Sequence, residues 1–108
     1  MATITVSYDG QNLSLSDRGT TRATRNEQII WTPGSGVHAV TSIVAKPTSP
    51  NPTSTFWSNP PSQNGVTFKG SISNTALGDW DYDICCNVGT QTAPVTKCLD
   101  PKIQVLGS

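Results

Sequence analysis

The chain has 108 residues, of which 34% are hydrophobic and 13% are charged, and its seven basic and seven acidic side chains give a net charge of zero. We expect one domain, residues 1–108, because this length suffices for one two-layer core. Zero net charge argues against nucleic acids and anionic membranes as partners bound through bulk electrostatics. Twelve Ser, fifteen Thr and eight Pro favour strands and turns over helices.

Alternation of polar and apolar residues predicts strands in the first part of the chain. The first strand places Ile4, Val6 and Tyr8 on one face and ends at the turn residues Asp9-Gly10. Residues 37–45 are rich in β-branched residues and form the longest predicted strand in this part of the chain. The predicted strands are residues 3–8, 12–16, 28–32 and 37–45, whereas residues 17–26 are polar and weakly patterned.

The segment 46–65 differs from its surroundings because it contains five prolines among Ser, Thr and Asn. Proline lacks the N–H group that a sheet ladder needs, so this segment is expected to be a long ordered loop or an edge excursion. Phe56 and Trp57 are its only large apolar pair, and we expect them either to pack back on the sandwich or to face a ligand. Asn59 adds an amide for hydrogen bonds to a polar ligand.

The remaining chain contains the clearest strand signal. Trp80, Tyr82, Ile84 and Cys86 fall on one face, and polar residues alternate with them on the other. Further strands are predicted at residues 66–72, with a kink at Gly70, within 94–99 and at 103–105. Seven or eight short strands of this spacing predict an all-β fold, an antiparallel Greek-key β-sandwich.

The order of these landmarks resembles a cupredoxin over roughly residues 28–106. Residues 29–32, a Gly-rich turn and residues 37–40 resemble the hydrophobic strand that leads to the first copper His of that family. Residues 78–82 resemble its Gly-x-aromatic-x-aromatic strand before the copper Cys, and residues 102–105 resemble its closing strand. The resemblance implies a sandwich of the cupredoxin or immunoglobulin type.

A blue-copper centre uses two His nitrogens, one Cys thiolate and usually a weak axial Met. This chain has one His, His38, and Ile84 stands where the family pattern places the Cys. We therefore expect no cofactor. Copper held by His38 with Cys85 or Cys86, in an electron-transfer protein, is the alternative reading.

The three cysteines are adjacent or close in sequence, and they cannot all pair within one chain. We expect three reduced thiols, with Cys86 buried, because the chain starts at Met1 without a leader. A Cys85–Cys98 disulfide is the alternative if the strands that carry these residues are neighbours. The chain is expected to be cytoplasmic if Met1 is the natural start, and periplasmic or secreted if a leader was removed.

No nucleophile, base and orienting partner occur in a recognisable pattern, so an enzyme is not expected. The leading hypothesis is a non-catalytic binding or structural domain whose contact residues are Phe56, Trp57 and Asn59. Its partner would be an unknown protein or a small polar ligand such as a glycan, with no role for nucleic acid or membrane. A self-associating structural protein, a homo-oligomer joined through sheet edges or charge clusters, is a further alternative. The charged residues concerned are Arg18, Arg22 and Arg25 with Asp79, Asp81 and Asp83.

Overall fold

The computed structural model describes residues 2–89 and 92–106, and 63% of these described residues lie in strands against 4% in helix. The elements in chain order are β1 (Ala2–Tyr8), β2 (Leu13–Leu15), β3 (Thr20–Ala23), β4 (Gln28–Pro33), β5 (Val37–Ala45), α1 (Thr53–Phe56), β6 (Trp57–Asn64), β7 (Thr67–Ile72), β8 (Gly78–Gly89), β9 (Pro94–Leu99) and β10 (Lys102–Val105). Within these described ranges, no helix has the length and apolar character needed to cross a bilayer.

The strands form two sheets, which confirms the predicted all-β sandwich. The first sheet has the order β2-β1-β4-β7-β6, and the second has the order β3-β10-β8-β5, with β9 also paired to β8. Both sheets are mixed, since β1 pairs with β4 and β3 pairs with β10 in parallel. Parallel neighbours need long connections, and the intervening strands supply them, so the expectation of purely antiparallel pairing is corrected.

Strand β8 is the centre of the second sheet. Its inward residues Trp80, Tyr82, Ile84, Cys86 and Val88 are all buried, as the sequence alternation predicted. One edge of β8 pairs with β5, while its other edge pairs first with β10 and then with β9. Strands β9 and β10 therefore follow one another along the same edge of β8, with an interruption at residues 100–101.

The described residues form ten strands rather than seven or eight, because two segments pair that the sequence did not mark as strands. Strand β3 buries Thr21 and Ala23, a weak apolar alternation that becomes a strand by pairing with β10. Strand β6 lies at an edge, where proline is tolerated. Strand β5 has the bounds that its β-branched run predicted.

A cluster of five aromatic rings joins the two sheets. Trp31 comes from the first sheet and Trp80 and Tyr82 from the second, while Phe56 and Trp57 lie where α1 meets β6. The Trp31 indole Nε1 donates a hydrogen bond of 3.0 Å to the Tyr82 hydroxyl, and the Trp80 and Tyr82 rings stack with centroids 5.1 Å apart. This contact fixes how the two layers face each other.

Candidate functional site

The pair predicted to contact a ligand, Phe56 and Trp57, is part of the core. The two residues are 1% and 3% exposed, and the Trp57 ring lies 5.1 Å from Trp80 and 6.0 Å from Trp31 between centroids. Of the two alternatives for this pair, packing back on the sandwich is the one observed. The assignment of these rings as contact residues is corrected accordingly, because no partner can reach a covered ring.

Strand β6 is largely exposed from Ser58 onward, and it bulges around two prolines. From Trp57 to Ser62 the strand takes five steps against three on β7, so Pro60 and Pro61 lie outside the regular ladder. Gly70 on β7 makes this possible, because a Cβ atom there would lie 2.9 Å from the Asn59 carbonyl oxygen and 3.0 Å from the Pro61 nitrogen. The kink that the sequence predicted at Gly70 is thus a close approach of two backbones.

The bulge borders a groove of about 530 Å³ on the outer face of the first sheet, hereafter the proline groove. Its lining is Gln28, Asn59, Pro60, Pro61, Ser62, Lys69, Gly70 and Ser71. The lining supplies amide, hydroxyl and ammonium groups beside two apolar proline rings, and Lys69 is its one charged residue. Of the residues predicted for the site, Asn59 lies here.

The sequence did not identify the other groove residues, because they come from three strands that only the sheet brings together. Lys69 and Ser71 lie on the outer face of β7, and Gln28 is opposite Ser71 on β4. The one local signal was the pair Pro60-Pro61 within a strand-length segment, which marks an edge bulge.

The alternative copper ligands do not converge. His38 is exposed, and its Nε2 contacts the Gly89 carbonyl oxygen. Cys86 faces the core with no exposed surface, and burial raises the pKa of its thiol to about 11. Cys85 is bonded to Cys98 and has no free thiolate. Among the described residues, no three His, Cys, Asp or Glu side chains are grouped as metal ligands.

Cys85 and Cys98 form a disulfide between directly opposite residues of β8 and β9, with a Cα–Cα distance of 4.1 Å. The expectation of three reduced thiols is therefore wrong, and the alternative bridge is the one observed. Its physical reason is the strand register, which places both side chains on the outer face of the second sheet. Cys86, one residue along, points to the other face and stays a free, buried thiol.

The acidic row on β8 pairs with lysines rather than with the arginine cluster. Lys46 Nζ lies 2.8 Å from Asp83 Oδ1, and Lys102 Nζ lies 3.5 Å from Asp79 Oδ2. The Lys46 hydrogen bond with Asp83 raises the pKa of the ammonium group. Arg25 instead donates from Nε to the Ala76 carbonyl at 2.9 Å. These surface pairs offset the charge of Asp79 and Asp83 within the chain, each with a small stabilisation.

A second cleft, also of about 530 Å³, opens between the two sheets where β2 faces the junction of β9 and β10. Its lining is Leu13, Ser14, Leu15, Arg18, Gly19, Leu99, Asp100 and Pro101. Leucine and proline side chains dominate it, and it contains neither a thiol nor an imidazole, so it offers no nucleophile or general base of those types.

Comparison with known proteins adds no functional assignment. No family model matches the chain, and no curated protein matches it.

Proposed function

We propose that this chain is a non-catalytic β-sandwich that binds a short glycan in the proline groove. The observation that carries the proposal is the composition of the groove, in which hydrogen-bonding side chains surround two proline rings. Sugars present hydroxyl groups along their edges and C–H groups on their faces, and the groove offers partners for both.

Each part of the groove has a distinct role in this proposal. The amides of Asn59 and Gln28 both donate and accept, which suits sugar hydroxyl groups. Pro60 and Pro61 supply apolar surface at low entropic cost, because their rings are already rigid. Lys69 is exposed and is the only charge in the lining, so it favours a glycan that carries a carboxylate.

The absence of catalysis in the proposal is supported by the surroundings of His38. The imidazole contacts the Gly89 carbonyl, and no hydroxyl or thiol nucleophile in the described part of the chain is hydrogen-bonded to it. A catalytic imidazole needs such a nucleophile and an orienting partner.

We also propose that the fold is a cupredoxin-like variant without the copper ligands. The long aromatic strand β8 and the strand β5 that carries His38 are antiparallel neighbours, which supports the resemblance of the sequence motifs. The disulfide supports an oxidising compartment, periplasmic or extracellular, since such bonds are rare where thiols are kept reduced.

Nuclear magnetic resonance titration with soluble trisaccharides, one neutral and one rich in uronic acid, tests the glycan proposal. We expect amide shifts confined to the groove around Asn59, Lys69 and Ser71, with tighter binding of the uronic-acid sugar. The variant Asn59→Ala with Lys69→Ala should lose binding at least about tenfold, the loss expected from two hydrogen-bonding partners of about 1 kcal/mol each.

The matched control is Thr41→Ala on the exposed face of β5, in the other sheet, which should bind as the parent does. The proposal would be overturned if neither trisaccharide shifted the amide signals of the groove. It would also be overturned if the Asn59→Ala, Lys69→Ala variant bound as tightly as the parent.

A further inference from the structure

The edge strands of this sandwich differ in how they are protected against pairing with another chain. Strands β2 and β3 have three and four residues, and β6 carries two prolines and two register shifts. Strand β5 is interrupted by two register shifts. Short length, proline and bulges are the features that keep edges from pairing. Strand β9 has six residues in unbroken register with β8, and only its first residue is a proline.

The outer edge of β9 pairs with no strand in the described part of the molecule, although β2 lies close to its Leu99 end. Strand β3 runs beside β10 only, from the pair Thr20–Lys102 onward, although β9 and β10 belong to the same line along β8. The position next to β9, on the side where β3 pairs with β10, is therefore not filled by a strand of the described chain. Val95 at this edge is 45% exposed, and Pro94, Thr96 and Cys98 are exposed as well.

The disulfide identifies which peptide groups point into this open place. Opposite residues of an antiparallel pair are about 4.5 Å apart when their peptide groups point outward, and about 5.5 Å apart when they bond each other. The Cys85–Cys98 distance of 4.1 Å assigns this pair to the outward type. In agreement with this, the Cys85 carbonyl points away from β9 and accepts a hydrogen bond from the Thr41 hydroxyl of β5. By alternation, Thr96 and Cys98 direct their N–H and C=O groups away from β8.

We propose that β9 pairs with β9 of a second copy of this chain, antiparallel and across a two-fold axis at Thr96. In this register each Thr96 N–H donates to the partner Thr96 carbonyl, and each Cys98 N–H donates to the partner Pro94 carbonyl. The overlap covers residues 94–98 of each copy and stops before Lys102, where the pairing with β3 begins.

The side chains select this register and this occupant. A two-fold axis through Lys97, the only charge on β9, would place two ammonium groups face to face, which is unfavourable. The axis at Thr96 instead opposes two β-branched threonines and places each Lys97 opposite Val95. A second copy fits this edge because a two-fold axis places the same strand opposite itself. Each β9 then supplies both the N–H donors and the carbonyl acceptors that the other β9 needs. The disulfide holds the strand in place before the partner arrives, which lowers the entropic cost of pairing.

Sedimentation velocity over a wide protein concentration range tests the dimer with charge variants at the axis. The parent chain should show a reversible dimer. Thr96→Asp and Thr96→Lys should each be monomeric, because identical charges then face each other, while their equimolar mixture should dimerise again. Thr96 is exposed, so circular dichroism and melting temperature should match the parent for both variants.

The control is Thr41→Asp, an exposed position on the strand at the other edge of the sheet, which should dimerise as the parent does. A monomeric parent at all concentrations would overturn the proposal, and so would a dimer that both single variants retain. A mixture that stays monomeric would overturn the two-fold register. None of these outcomes depends on glycan binding, because the proline groove lies on the other sheet.

Discussion

Tyr82 is the residue on which the junction between the sheets most depends. Its side chain is fully buried, and its hydroxyl oxygen accepts the hydrogen bond from the Trp31 indole. Burial strongly raises the pKa of this phenol from its ordinary value of 10.0, because the ionised form would lose its hydration. The Trp31 contact lowers the pKa by a smaller amount. A polar atom thus specifies the contact between two otherwise apolar layers.

The raised pKa predicts a loss of stability in alkali. In the unfolded chain the phenol ionises from its ordinary value of 10.0, whereas in the folded chain it stays protonated to higher pH. Its contribution is therefore complete below about pH 10 and is lost as the pH rises above that value. Cys86 acts in the same direction, since its thiol pKa is raised to about 11. Melting temperature measured against pH should fall steeply in this range.

The variant Tyr82→Phe should flatten that fall, while costing about 1–3 kcal/mol at neutral pH because the Trp31 N–H loses its acceptor. Tyr8→Phe is the control, since the Tyr8 hydroxyl donates to the Gly10 carbonyl at the surface and that variant should keep the alkaline fall of the parent. An unchanged slope in Tyr82→Phe would contradict the assignment.

Among the elements, β9 is the one whose place depends on a covalent bond. It pairs only with β8 in the described chain, and four of its six residues are exposed, so few apolar contacts hold it. The Cys85–Cys98 bridge compensates for that lack of burial.

Removing the bridge should destabilise the protein. Cys85 and Cys98 are 13 residues apart, and closing a loop of that size in the unfolded chain is worth about 3 kcal/mol. Urea unfolding of the double variant Cys85→Ser with Cys98→Ser should show a loss of that order. Adding a reductant to the parent should lower its urea midpoint to that of the double variant. The midpoint of the double variant should not change when the reductant is added. Equal midpoints for parent and variant would contradict the prediction.

At the scale of the whole molecule, the aromatic cluster decides stability and also explains why the 46–65 segment is ordered. Trp57 contacts Trp31 of the first sheet and Trp80 of the second. The segment carrying it is thereby anchored in the interior, and its polar remainder is free to form the proline groove. Strand β6 thus begins with the buried Trp57, and its following residues Asn59, Pro60 and Pro61 line the proline groove at the surface.

Trp57→Ala should lower the free energy of unfolding by about 3–5 kcal/mol, because it leaves a large cavity between the layers. Val44→Ala, at a side chain that is 60% exposed, is the control and should change it by no more than about 0.5 kcal/mol. Denaturant unfolding measures both. A near-parental stability for Trp57→Ala would mean that this ring is not part of the core, contrary to its position here.

The alternation of apolar residues was enough to predict the all-β class, most strands and the inward face of β8, because a half-buried strand carries its pattern locally. The same signal failed for β3, whose buried residues are Thr21 and Ala23. It also failed to mark β6 as a strand, since its prolines left a loop and an edge excursion as alternatives, and the structure places it at an edge. Both become strands only because a neighbour offers a ladder at an edge. Likewise, three reduced thiols were the expectation from the sequence, whereas the register of β8 and β9 produced the Cys85–Cys98 disulfide.

The sequence by itself thus determined the class of fold and the aromatic face of β8, since these follow from residue type and period. The tertiary structure decided which of Phe56, Trp57 and Asn59 reaches the surface, which cysteines meet, and where a groove opens. Those outcomes depend on which strands become neighbours and in what register, and hydrogen bonds and packing between distant segments settle that choice.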